Sequence, residues 1–459
     1  MVKKGVKQVV IHDSSSMTHF KDRGKEQLIA QGAVSESSTA LGYSFIVPFA
    51  EKIGANALHI GFLSAFAGLL APIGSLLGSK LMESRSRKKI SITYTLWQAL
   101  IWFPVIGIIF MLWKGFALPY LPIILIAFYS LFVFFTGVKD PPSFSWLGDL
   151  VSEKERGHYF ARRNRIIGWY SLVVFLVAGF VLRFFETRGF LLTSFILMFL
   201  LAIFLRFISL YQTKKVFCPS FKLKKGYYFS FWSFIKRYDN FGKFAVFQAV
   251  FNFSIMVASP FFAVYMLNDL KFNILTFTIV SLSSTVFYLL FMPLAGKFSD
   301  KYGNLKLLYI AGLAFPLNAF LWVFIKDPVG LTLLPGLVSG IGNAALTIGI
   351  TNYTYDSVSP ERRGICVAYT GILNGVGVFL GSIAGGLMIQ YLDISFMNKT
   401  LFVFALAAGL RLLTALIFLP QIKEVRRVNK VKGLSADILH PFKSVHSDVV
   451  WFKKFIYSK

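Results

Sequence analysis

Acid is scarce in this chain. Its 21 Asp and Glu stand against 48 Lys and Arg, and cysteine and histidine are scarcer still, at two and six. Two cysteines, Cys218 and Cys366, are too few for a disulfide framework or a thiolate metal site. The histidines are scattered without ligand spacing, so no metal and no cofactor site is expected. The chain also lacks a G-x-x-x-x-G-K-[ST] run, which excludes that phosphate cradle and leaves a gradient as the energy source for any vectorial work. The basic first 25 residues contain no apolar core of the kind a signal peptide needs.

Apolar sequence is abundant. The 459 residues are 56% hydrophobic and 17% aromatic, with a mean hydropathy of +0.64. Runs long enough to cross about 30 Å of hydrocarbon recur along the chain. About twelve are expected, near residues 28–53, 57–81, 90–113, 117–150, 158–186, 189–213, 242–268, 272–297, 305–326, 329–357, 364–392 and 399–420. A net charge of +27 invites a nucleic-acid partner, but the distribution argues against one. When alternate loops are assigned to opposite sides, one set holds only Lys52, Lys114, Arg183, Arg188, Lys271, Lys326 and Lys399. Nearly all other cations fall on the termini and the remaining loops. This is the positive-inside pattern, which expects both termini in the cytoplasm of a plasma-membrane protein.

The chain repeats itself. Asp149-Leu-Val-Ser-Glu-Lys-Glu-Arg156-Gly157 returns 207 residues later as Asp356-Ser-Val-Ser-Pro-Glu-Arg-Arg363-Gly364. Pro48-Phe49 recurs as Pro260-Phe261, and Leu205-Arg206 as Leu410-Arg411. Two parallel halves are a common transporter plan, with the binding site near mid-bilayer between them. The expected organisation is an N-terminal segment 1–27, a six-helix half 28–213, a basic central loop 214–241, a second half 242–420 and a basic tail 421–459. The central loop carries Phe229-Ser-Phe-Trp-Ser-Phe-Ile-Lys-Arg-Tyr238, which suits an interfacial helix. The tail suits contact with anionic lipid headgroups.

Between spans 8 and 9 lies Gly296-Lys-Phe-Ser-Asp300-Lys-Tyr-Gly303, of the form G-x-x-x-D-[RK]-x-G. Its counterpart between spans 2 and 3, Ser79-Lys-Leu-Met-Glu83-Ser-Arg-Ser-Arg87-Lys88, keeps the acid and trailing bases but replaces both glycines by serine. These loops and the D-x-x-S-x-x-x-R-G repeats resemble the major facilitator superfamily. The resemblance implies an all-α polytopic membrane fold of two pseudo-symmetric six-helix halves. It also implies a cytoplasmic gate of Glu83, Arg87, Asp149, Arg156, Gly296, Asp300, Gly303, Asp356 and Arg363. In physical terms, Arg156 and Arg363 precede the next span and can fold back onto an acid.

Charges inside spans bear on the solute. Glu36 lies in span 1 among Ser35, Ser37, Ser38 and Thr39. An ionisable group at that depth is costly and marks a functional site or a proton-coupling carboxylate; the other reading is a structural acid tied to its serines. Lys139-Asp140-Pro141-Pro142 sets opposite charges about 100° apart on span 4, so each is expected to find a separate partner. Span 10 presents Asn343, Thr347, Thr351 and Tyr355 at i, i+4 spacing, and span 7 presents Gln248 and Asn252, all neutral groups for hydroxyl or amide recognition or for interhelical bonds. Arg206 and Arg411 are expected to snorkel toward water or brace inner loops. The span 11 glycines (371, 375, 377, 381, 385 and 386) read as close helix packing.

The expected function is secondary active transport of a small solute by alternating access, coupled to protons, by a monomer among membrane lipids. The rival is a non-transporting sensor or scaffold on the same fold. Within transport, the polar stripe favours metabolite uptake and the 51 phenylalanines favour efflux of apolar compounds. A polytopic membrane enzyme would need acids or histidines clustered in a water-filled loop, and none is present, so enzymatic activity is not expected.

Overall fold

The computed structural model describes residues 14–425 except 117–118, 152–155, 220–230, 232–233, 235, 237–238 and 359. The extreme N-terminus, most of the candidate interfacial helix of the central loop and most of the basic tail lie outside the described residues, though Phe231 and Phe234 of that segment pack on Tyr369. Twelve long helices carry the chain: α1 Ser14–Gly42, α2 Ala57–Leu81, α3 Arg87–Leu100, α4 Leu121–Leu150, α5 Arg156–Glu186, α6 Leu191–Lys215, α7 Asn240–Met256, α8 Ile274–Tyr302, α9 Asn304–Phe324, α10 Pro328–Ser357, α11 Pro360–Tyr391 and α12 Lys399–Phe418. A second segment, Trp102–Trp113, extends α3. Among the described residues, eleven helical stretches, α2 to α12 with their extensions, are long and apolar enough to cross a membrane. The twelfth, α1, occupies the place of a span but falls short in hydropathy because Gln31, Ser35, Glu36, Ser38 and Thr39 dilute it.

The two halves break their first helices at the same repeated dipeptide. After α1 the chain passes through a 3-10 turn, Tyr43–Phe45, into the short helix Ile46–Lys52 that contains Pro48. After α7 it loosens over Val257–Pro260, resumes as Phe261–Val264 and ends in a π turn, Tyr265–Asp269. Proline has no N–H to donate and crowds the preceding turn, so a helix yields there. Phe49 and Phe261, which follow the two prolines, are both fully buried.

α4 tolerates Pro141 because the lost bond is repaired locally. Pro141 strips the Gly137 carbonyl of its i+4 donor, and Ser75 Oγ of α2 donates to that carbonyl instead, at 3.2 Å. Within the N-terminal half, α1 packs on α5 and α6, α2 on α4, and α3 on α4 and α6. The second half pairs α8 and α9 with α10, and α12 with α9 and α7. The halves meet through α2 against α11 and α5 against α8, two seams that exchange under a two-fold relation.

Three apolar cores result, and their placement is uneven. The largest joins both halves at one end of the bundle, with Phe45, Phe49 and Ile60 packing in the same cluster as Phe261, Tyr265 and Phe277. At the basic end the halves have separate cores. One is built on Leu28, Trp146, Leu150 and Val216, the other on Phe244, Leu308, Tyr353 and Leu419. The molecule is therefore sealed between its halves at the far face and divided at the basic face.

Candidate functional site

A cavity of about 370 Å³ opens among α1, α3, α4, α5 and α6, all of them in the N-terminal half. Glu36, Lys139, Asp140, Arg163 and Arg206 all reach its wall, among Gln31, Thr39, Thr95, Gln98, Thr136 and Ser143. Arg206 is buried and donates to Ser35 Oγ at 2.8 Å and Thr39 Oγ1 at 3.1 Å. The serine-rich stretch around Glu36 thus holds the arginine rather than the glutamate. Lys139 donates to Gln98 Oε1 at 3.1 Å, and the Gln98 amide donates to Thr136 Oγ1 at 2.6 Å. Lys139 and Asp140 thus part company, as their angular separation on the helix requires. Among the described residues, Glu36 and Asp140 make neither a hydrogen bond nor an ion pair. The electrostatic influence of Glu36 nevertheless reaches Lys139, Asp140, Arg163 and Arg206.

Two members of this cluster were not legible as site residues. Arg163 sits among the loop cations in sequence, and only the seven-residue step from Arg156, two helical turns, hinted that it shares a face with the repeat arginine. Gln98 carried no signal. Arg206 and Arg411 are both buried and bond to helices of their own half instead of reaching toward the basic face. Arg411 is fully buried and donates to the carbonyls of Ser254 at 3.3 Å, Phe315 at 3.0 Å and Ile255 at 2.8 Å. Two of these carbonyls lie beside the break in the first helix of the second half, where regular backbone bonding fails. A guanidinium with five donors suits that task.

The neutral polar residues of the second half do not join the charged cavity. Gln248 is buried and accepts from Asn374 Nδ2 at 3.2 Å, which ties α7 to α11. Asn252 and Asn343 donate back to the carbonyls of Gln248 and Ser339 on their own helices. Thr347 and Thr351 are exposed. Asn343 does line a second cavity of about 370 Å³, where Phe262, Met266, Phe277 and Trp322 alternate with Asn318, several serines and Arg411.

At the basic face the repeated aspartates occupy matching positions. Arg87, nearly fully buried, pairs with Asp149 at 2.7 Å, and Asn304 donates to Asp356 at 2.7 Å. Each of these partners lies at the start of the third helix of its half, directly after the loop motif. The side chains of Arg156 and Arg363 lie outside the described residues. The chain leaving each half is clasped from below in the same manner. Arg87 donates to the Pro219 carbonyl, Lys88 to Val216 and Trp146 to Phe217. Tyr353 and Asn240 donate to the Lys423 carbonyl, and Glu424 accepts from Leu305 N. These named bonds all stay within one half. Glu83 is exposed at the end of its loop, and Asp300 is exposed on the last turn of α8. Gly296 has open space beside it, but Gly303 has φ of +96° and lies against the Glu424 carboxylate, a place for glycine on both counts.

The Major Facilitator Superfamily model matches residues 244–458. A 96-residue stretch, 21% of the chain, is 33% identical to "Vacuolar basic amino acid transporter 2" of Saccharomyces cerevisiae and spans 20% of that protein. The match thus covers about a fifth of this curated relative. Among solved structures, a mutant of the nucleoside transporter NupG superposes with a TM-score of 0.68 at 17% identity, covering 87% of this chain and all of that one. A bacterial homologue of the iron transporter ferroportin superposes with a TM-score of 0.64 at 15% identity, over 87% and 98%. The chain thus shares its fold with these transporters over nearly its whole length, and its second half carries a sequence signature similar to that of the Major Facilitator Superfamily.

Proposed function

We propose that the protein is a secondary transporter that carries a small polar solute by alternating access of its two halves, coupled to protons through Glu36 with Asp140 beside it. The observation that carries this reading is the charged cavity, where two carboxylates and three cations face one space and neither carboxylate has a hydrogen-bonding partner among the described residues. Charges within a membrane span are expensive unless they face water or a ligand, and a carboxylate in that setting is suited to take and release a proton. The sealed far face and divided basic face correspond to one of the two states that alternating access requires. Arg87 with Asp149, and Asp356 with Asn304, would clasp the basic end of each half as a rigid unit. Arg156, Arg363, Glu83, Asp300 and the glycines of the loop would act where the halves close. The cation asymmetry supports cytoplasmic termini in a plasma membrane, with the protein working as a monomer among lipids.

The test is uptake into proteoliposomes under an imposed pH gradient, with radiolabelled organic anions, sugars, amino acids, nucleosides and hydrophobic cations. One class should accumulate only when the gradient is present. No gradient-driven flux of any class would favour a sensor or scaffold. The aromatic wall of the second cavity, Phe262, Phe277 and Trp322, favours one competing reading, efflux of hydrophobic compounds, and preferential flux of the hydrophobic cations would select it.

A further inference from the structure

We propose that the charged cavity of the N-terminal half binds a small hydroxylated oxyanion, a carboxylate or a phosphate ester, on Lys139 and Arg163, and that protonation of Glu36 favours its binding. This rests on the transporter reading only for what happens to the anion afterwards.

The repeat supplies the first argument. The spacing that takes Pro48 to Pro260 takes Glu36 to Gln248, and the spacing that takes Asp149 to Asp356 takes Lys139, Asp140 and Arg163 to Leu346, Thr347 and Thr370. Of the five cavity charges only Arg206 has a charged counterpart, Arg411, and both are tied to their own half by hydrogen bonds. The second half builds the same six-helix unit without the other four. Those four are therefore not needed by the fold, and their cost in a membrane span points to a ligand.

Their bonding points the same way. The Nε of Arg163 is buried with no partner, and its one side-chain bond is Nη1 to Asn164 Oδ1 at 3.2 Å. Lys139 uses one of three donors, on Gln98. Arg206 keeps an unpartnered, buried Nε within a side chain that lines the cavity. Guanidinium and ammonium donors left over in this way suit the oxygens of an anion, with charge-assisted bonds roughly twice as strong as neutral ones. The charge count decides between anion and cation. Three cations face two carboxylates, so an anion balances the cavity and a cation adds to its surplus. Thr95, Thr136, Ser143 and Gln31 supply hydroxyl and amide partners for the body of the solute.

Protonation enters through Glu36. It shares the cavity with Lys139 and Asp140 of α4, Arg163 of α5 and Arg206 of α6, while α3 contributes only the neutral Ser91, Thr95 and Gln98, and α1 with the turn after it adds Gln31, Ser35, Thr39 and the phenol of Tyr43. As a carboxylate Glu36 competes with the solute for the cations; once neutral it does not. Proton and anion then bind with positive linkage, each raising the affinity for the other.

The test uses full-length protein in detergent, with calorimetric titration and thermal unfolding at mildly acidic and mildly alkaline pH. The probes are gluconate, glycerol 3-phosphate, glucose and arginine. Gluconate or glycerol 3-phosphate should bind and raise the unfolding midpoint, more strongly at acidic pH, and the tighter of the two identifies the oxyanion. Glucose and arginine should not. Lys139→Gln and Arg163→Gln should each weaken binding by about tenfold or more, as expected for loss of a charge-assisted bond. Arg163→Lys should restore part of it, and Glu36→Gln should remove the difference between the two pH values. Binding of glucose or arginine in place of the anions, anion binding untouched by both cation variants, or no binding of either anion would overturn the proposal. Anion binding without gradient-driven uptake would overturn the transporter reading and leave this site standing. Gradient-driven uptake of glucose or arginine with no anion binding would do the reverse.

Discussion

Two arginines in equivalent places show how one side chain can serve two ends. Arg206 donates to hydroxyls that surround Glu36, and Arg411 donates to carbonyls beside a broken helix. The first orders the wall of a polar cavity; the second compensates backbone that could not bond itself. Replacing Arg411 by Met should leave the buried Ser254 carbonyl without this donor at about 1–3 kcal/mol, while the Ile255 carbonyl keeps its backbone donors, and lower the thermal midpoint of the purified protein by a few degrees. Fluorescence-detected size exclusion after heating would measure it. Glu36→Gln tests the other role. Expression and folding should be retained, while solute flux should lose its dependence on the pH gradient in proteoliposomes. Gradient dependence unchanged from wild type would remove Glu36 from the coupling step. Both roles of arginine were hidden in sequence, because a cation several residues inside a span looks the same whether it snorkels, braces or binds.

At the scale of elements, close packing sets the geometry that the cavity inherits. A Cβ added to Gly377, Gly381 or Gly385 of α11 would overlap the carbonyl oxygens of Ala249, Phe253 and Val257 on the first helix of that half. Without a hydrophobic force between helices in lipid, such small-residue contacts supply the attraction. Gly381→Val should therefore lower expression and shift the protein toward aggregates in size exclusion, whereas the same change at Gly296, where space is open, should not. The glycine spacing on span 11 was readable as packing from the sequence. Its partner was not, because periodicity names a face and never the helix opposite. The loop motifs behaved similarly. The repeated aspartates were evident, but contacts with Arg87 and Asn304 were not, since those residues match only after the two third helices are superposed.

For the whole molecule, the uneven distribution of its cores is the mechanical statement. Apolar packing joins the halves at the far face, where Asn268 also donates to Glu51 at 3.1 Å across the seam, and each half keeps its own core at the basic face. A transporter must leave this state to complete a cycle. With both native cysteines replaced by alanine, Glu51→Cys and Asn268→Cys joined by a short bifunctional thiol crosslinker should stop solute flux, and a cleavable linker should restore it on reduction. Flux that continues at the wild-type rate through the crosslinked protein would sink the alternating-access reading.

Sequence by itself determined the class of this protein: a polytopic helical bundle of two repeated halves, basic on one side. Those properties follow from run length, charge asymmetry and repetition, which are local or additive along the chain. Tertiary structure decided which charges share a space. Glu36, Lys139, Arg163 and Arg206 come from four helices far apart in sequence, and their convergence depends on helix rotation and crossing, which no single segment encodes. It also decided which half holds the site. The repeat made the halves look equivalent, and only the packed walls of the two cavities revealed one with five charged residues and the other with Arg411 alone.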